Sequence, residues 1–165
     1  MRRTPSQTVG PFYAIGLCRR DENILVPPDD PSALLLRGEL LDGDGTPIPD
    51  GMIEVWEPVE HRWGRCGTQP AGDRPAGAFS FVIRTPPAAP GSAPHLDIYV
   101  FARGLLKHQR TRMYFPGEPE ANAADPVVRG LAEADRARLV AARDEAGLRF
   151  DIHMQGTRET VFFET

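Results

Sequence analysis

Apolar and polar residues alternate along this chain in short runs and seldom recur at helical spacing. Residues 78–85 read AFSFVIRT, with Phe79, Phe81 and Ile83 on one side and Ser80, Val82 and Arg84 on the other. A period of two is the spacing of a strand with one buried face. Further strand-like runs are 33–42 (ALLLRGELLD), 52–58 (MIEVWEP), 96–103 (LDIYVFAR), 110–115 (RTRMYF), 148–156 (LRFDIHMQG) and 159–164 (ETVFFE). Turn-rich stretches such as GDGTPIPDG at 43–51 punctuate them. Segment 59–78 holds four Gly and two Pro and reads as loop. Only 130–145 (GLAEADRARLVAARDE) carries strong helix formers, with Gly147 placed to stop it.

The pattern predicts a mainly β protein, an antiparallel sandwich of seven to eight strands with one helix near the C-terminus. Residues 1–32 are polar and Pro-rich and read as an extended arm; 33–165 form the body, with no internal repeat.

Composition narrows the class. At 165 residues the chain suits one domain, and with 41% hydrophobic and 25% charged residues it can build a core. Pro 17 and Gly 16 fit short strands and turns better than a helical bundle. A net charge of −4 without a Lys/Arg run offers nucleic acid no electrostatic footprint. Cys18 and Cys66 lie far apart, with no CxxC, which argues against a disulfide framework or structural zinc. The N-terminal apolar patch is broken by Gly10, Pro11 and Gly16, so no export signal is expected; nor is any run near the ~20 residues of a membrane span. A cytoplasmic protein is expected.

The candidate chemistry starts at APHLDIYVFARG, residues 93–104. Alternation places His95 and Asp97 on one face of a strand, where both side chains could reach one ion. Asp151 and His153 form a second such pair. His95, Asp97 and His153 could make the facial triad of a ferrous 2-oxoglutarate oxygenase, with Arg158 for the cosubstrate's carboxylate. The competing readings are polar positions at a sheet edge or subunit contact, and a non-catalytic β-sandwich binding module.

Longer phrases weigh on this choice. TPSQTVGPFY, IEVWEP, APHLDIYVFARGLLKHQRTRMYF and RFDIHMQGTRETVFFE, in this order from Thr4 to Glu164, resemble the intradiol ring-cleaving dioxygenases, and among them the alpha-type chains of its two-chain enzymes. The resemblance implies a ferric ion, Fe(III), held on a partner beta chain by two Tyr and two His, the His pair forming an H-x-H. Carried onto this sequence, the first His falls at His95 and the second at Asp97. The loops that would supply the tyrosines have none; Tyr13, Tyr99 and Tyr114 lie elsewhere. His95 and Asp97 are then a vestigial metal position, and no metal is expected on this chain.

The resemblance also implies a hetero-oligomer of alpha–beta pairs and a small aromatic substrate, protocatechuate, cleaved by O2. This chain would close the partner's pocket in trans with Thr8, Gly10 and Pro11, and with Arg103 near the pocket mouth. Gly10 lets backbone approach a ligand closely, and Pro11 fixes the turn.

Overall fold

The computed structural model describes residues 4–5, 10 and 12–164, and in these nine strands form two sheets. The strands are β1 (Leu34–Leu41), β2 (Gly51–Glu57), β3 (Arg62–Gly67), β4 (Ala78–Ile83), β5 (His95–Ala102), β6 (Gln109–Tyr114), β7 (Ala142–Asp144), β8 (Gly147–Arg149) and β9 (Ile152–His153). One sheet runs β4-β1-β8-β7, with β9 also on β1; the other runs β3-β2-β5-β6. Pairing is antiparallel except where β8 and β9 lie parallel to β1.

The core forms where the inner faces meet. Leu36 and Leu40 of β1 and Phe79, Phe81 and Ile83 of β4 pack with Ile53 and Val55 of β2, with Leu96, Ile98 and Val100 of β5 and with Met113 of β6. The side-chain parity read from 78–85 is the parity observed, with all three of its apolar positions buried.

Three expectations are corrected. Segment 59–78 is not loop throughout, because 62–67 pair with β2 as an edge strand, Trp63 facing Trp56. The turn before it is closed by the Glu57 carboxylate, which accepts from the backbone N–H groups of Val59 and Glu60 at 2.7 and 2.9 Å. Next, the helix expected over 130–145 is six residues long, α4 (Glu133–Arg138), and 142–144 are strand. Tyr114 N–H donates to the Leu139 carbonyl at 2.8 Å and Ala141 N–H to the Tyr114 carbonyl at 3.0 Å. Leu139 and Ala141 are buried by running beside β6, and this tertiary pairing overrides local helix propensity. Third, 159–164 form no strand; Phe163 makes an isolated bridge to Arg110. Three further short helices are α1 (Tyr13–Leu17), α2 (Pro119–Ala124) and α3 (Pro126–Arg129).

The segment after α1 is tied to both sheets. Arg65 N–H donates to the Glu22 carbonyl at 2.9 Å, Leu25 N–H to the Val82 carbonyl at 2.8 Å, and Val82 N–H to the Asn23 carbonyl at 2.9 Å. Gly64 makes this approach possible: a Cβ there would run into the Leu25 side chain.

Candidate functional site

Strand register places one set of side chains on the outer face of the four-stranded sheet. Asp97 lies opposite Trp56 on β2 and Arg112 on β6; Tyr99 lies opposite Glu54 and Arg110; His95 lies opposite Tyr114. One end of this face is covered by α1, with Tyr13 packed on Met52 and Phe101. The other end is covered by residues around the short helices, where Tyr114 packs with Ala93, Val128 and Leu139. His95 and Asp97 do share a face, as expected, but not at a sheet edge: β5 is an interior strand, and both residues are buried.

Asp97 is paired through one carboxylate oxygen with two arginines. Its Oδ1 accepts from Arg110 Nη2 and from Arg112 Nε, each at 3.0 Å. His95 Nδ1 lies 2.8 Å from the Ala93 carbonyl oxygen and 3.3 Å from Ser92 Oγ. Ser92 Oγ and Ala93 N–H in turn donate to the Asp125 carboxylate, at 2.8 and 2.9 Å. The Tyr114 hydroxyl is buried without a well-formed hydrogen bond, although Arg112 and Asp125 lie near it. Burial pushes this phenol up to about 12; the Arg112 guanidinium works against the rise and the Asp125 carboxylate adds to it.

This arrangement does not fit ferric iron. The carboxylate is held between two guanidiniums, whose charges repel a cation, and burial of the Tyr114 phenol beside His95 disfavours its ionised form. Nor does the facial triad assemble. His153 sits on β9, in the other sheet, and among the described residues no three His, Cys, Asp or Glu side chains come together in a metal-binding group. Asp151, His153 and Arg158 instead share a cavity of about 300 Å³ with Arg138 and Arg149. The Asp151 carboxylate there accepts from Arg149 Nε at 2.9 Å and from the Glu39 N–H at 3.0 Å.

Two of the sequence-derived pocket residues, Thr8 and Pro11, lie outside the described residues. Gly10 is described, with a φ of 75° that favours glycine. Three residues further on, the Tyr13 hydroxyl donates to the Asp50 carbonyl and stands 3.2 Å from that of Phe101. Burial raises the Tyr13 phenol well above its ordinary range, and the Asp50 carboxylate adds to the shift. Arg103, 68% exposed, pairs through Nε with Asp50 Oδ2 at 3.0 Å. Asp50 therefore joins the start of the arm to Arg103. The sequence reading missed it, because its only mark there was a place in a PDG turn.

The two sheets, with a polar cluster on the outer face of the four-stranded one, define the fold of an intradiol dioxygenase. The same fold occurs in the dioxygenase domain of a dioxygenase–carbohydrate-binding protein fusion from Streptomyces sp. SirexAA-E, with a TM-score of 0.61 over 94% of this chain and 100% of that one, at 22% identity. No family model matches the chain. In sequence it is 37% identical to the protocatechuate 3,4-dioxygenase alpha chain of Burkholderia cepacia, covering 99% of this chain and 98% of that one. Identity to the beta chain of the same organism is 28%, over 77% of this chain and 66% of that one. The chain belongs to the family of protocatechuate 3,4-dioxygenase alpha chains. Its alignment with the Burkholderia alpha chain runs over 195 positions against 165 residues here, so that relative has at least 30 positions that this chain lacks.

Proposed function

We propose that this chain is the iron-free alpha subunit of a protocatechuate 3,4-dioxygenase. The enzyme is an oxidoreductase that uses O2 to open the ring of protocatechuate between its two hydroxyl-bearing carbons, giving 3-carboxy-cis,cis-muconate. The chain works in an alpha–beta hetero-oligomer, and Fe(III) belongs to the beta chain. Kinship to alpha chains along the full length supports the enzyme class. The observation that carries the division of labour is Asp97, locked between Arg110 and Arg112 at the position where the family resemblance implies a histidine ligand.

In this reading the chain acts on the substrate through its arm and through Arg103. Thr8, Gly10 and Pro11 close the partner's pocket and exclude water, which strengthens polar contacts inside it. Tyr13, buried and bonded to the Asp50 carbonyl, anchors that segment. Arg103, pinned by Asp50, presents its guanidinium at the pocket mouth, where it favours a substrate carrying a ring carboxylate.

The test is co-expression with a protocatechuate 3,4-dioxygenase beta chain from the same organism. Ring cleavage of protocatechuate by the purified pair, and by neither chain alone, is expected. Full activity of the beta chain alone contradicts the proposal.

A further inference from the structure

The arm and the edge strand β3 enclose a polar cavity of about 340 Å³, apart from the outer-face cluster. Four arginines line it: Arg19 and Arg20 from the arm, Arg65 from β3 and Arg74 from the loop that follows. Among the described residues, only Arg65 of the four has a close carboxylate partner for its guanidinium, Glu54, whose Oε1 accepts from its Nε at 2.8 Å. Among the described residues Asp21 is the one carboxylate lining the cavity, and beside it the Glu22 carboxylate accepts from the Arg19 backbone N–H at 3.0 Å.

The Arg74 fork is held in place without an anion. Its Nη1 donates to Cys66 Sγ at 2.7 Å and its Nη2 to the Gln69 carbonyl at 3.3 Å. Its Nε is buried and finds no acceptor, and the nearby Gln69 Oε1 is buried and finds no donor. Orphaned buried polar atoms are few in folded proteins. Of these two, Arg74 Nε is a donor that an anion can satisfy, whereas Gln69 Oε1 is an acceptor that an anion does not.

We infer that this cavity is a binding site for a small divalent oxyanion, held by the guanidiniums of Arg19, Arg20 and Arg74. Guanidinium forks match the geometry of tetrahedral oxyanions and carboxylates, and each contact is charge-assisted. An anion that draws the Arg74 fork toward it supplies the acceptor its Nε lacks. The ligand would also bridge two parts of the chain, since Arg19 and Arg20 belong to the arm while Arg65 and Arg74 belong to the body. Binding therefore stabilises the arm against detachment, by the ordinary linkage of a ligand to the state that binds it.

The experiment is calorimetric titration of the assembled alpha–beta enzyme with sodium sulfate, with ionic strength held constant by chloride. One saturable site per alpha chain is expected. Arg74→Gln should weaken it about tenfold or more. So should the double variant Arg19→Gln/Arg20→Gln, whose positions are exposed and whose folding is not at stake. Arg143→Gln, on β7 and away from the cavity, should bind like the parent. Parallel titrations with inorganic phosphate and with malonate separate a tetrahedral ligand from a dicarboxylate. A second readout is trypsin cleavage after Arg19 and Arg20, which sulfate should slow in the parent and not in Arg74→Gln. The inference is overturned if binding is not saturable, if both arginine variants bind like the parent, or if the isolated chain binds sulfate while the assembled enzyme does not. The last result would mean that the partner's own residues fill the cavity.

Discussion

Asp97 and Arg112 face each other across β5 and β6, with Arg112 Nε 3.0 Å from Asp97 Oδ1. Arg110 Nη2 reaches the same oxygen at the same distance. Where an iron-carrying relative is expected to present an imidazole to a cation, this chain has a closed ionic triad on a sheet face. The carboxylate is 8% exposed, Arg112 18% and Arg110 31%, so the triad is partly desolvated. It is costly to break from one side, because two guanidiniums then lose their counter-ion.

Asp97→Asn should therefore destabilise the chain, by about 1–3 kcal/mol, below the full loss of a buried pair because both arginines retain some water. Denaturant unfolding of the assembled enzyme measures it. Asp97→His, which recreates H-x-H, should be destabilised to a similar extent and still take up no iron, since the Arg110 and Arg112 guanidiniums remain beside the new imidazole and repel a cation. Stoichiometric iron on an Asp97→His alpha chain contradicts this account of the site.

Asp125 ties the loop before β5 to α3. Burial acts to raise its carboxyl, but hydrogen bonds from the Ala93 and Val127 N–H groups and from Ser92, helped by Arg112, outweigh it and hold the pKa below the ordinary aspartate value. The unfolded value is about 3.9. The stabilising contribution is thus complete above that pH and is lost as pH falls from there through the lower folded pKa. Asp125→Ala should cost about 2–4 kcal/mol at neutral pH, from a lost helix cap and an unpaired buried N–H. The gap between variant and parent should narrow below about pH 4; a gap that does not change with pH counts against the charge as its source.

His153 should matter for acid stability and not for iron. Burial lowers its pKa, the Arg158 charge lowers it further, and Asp151 opposes them. The neutral ring is favoured in the folded chain, so stability is full above the unfolded value of about 6.5 and falls as pH drops from there through the folded pKa. His153→Gln should remove that part of the acid loss and leave the iron content of the assembled enzyme unchanged. Iron lost in proportion to this substitution would revive the facial-triad reading.

Arg103 and Tyr13 should separate by substrate. Arg103→Ala in the assembled enzyme should lower kcat/KM for protocatechuate about three- to tenfold, with a smaller loss on catechol, which lacks the carboxylate. The modest size follows from the 68% exposure of Arg103, and the effect should shrink with added salt. Tyr13→Phe frees the Asp50 carbonyl and loosens the arm, so both substrates should suffer alike. Equal, unaltered rates for both variants would reduce this chain to a scaffold.

The strands of the core were legible because their alternation is strict. Phe79, Phe81 and Ile83 announce β4 without any knowledge of its partner, and Leu96, Ile98 and Val100 do the same for β5. Strand β3 was hidden because Gly64 and Gly67 leave gaps in the pattern, and Gly64 is glycine to admit the arm. The run 139–144 misled in the opposite sense: its helix formers are overruled by backbone pairing with Tyr114 that no local window contains. At the site, the missing ligands could be read from residue types alone. What replaced them could not, because the triad depends on the register between β5 and β6, and the role of Asp50 depends on a contact with a residue 37 positions away.

The most direct measurement is iron analysis with a visible spectrum on the purified alpha chain, on the purified beta chain and on the co-expressed pair. The account predicts an alpha chain without stoichiometric iron or colour, and a pair whose iron tracks the amount of beta chain and whose phenolate-to-ferric band appears only when that chain is present. A coloured alpha chain carrying one iron per molecule would contradict it.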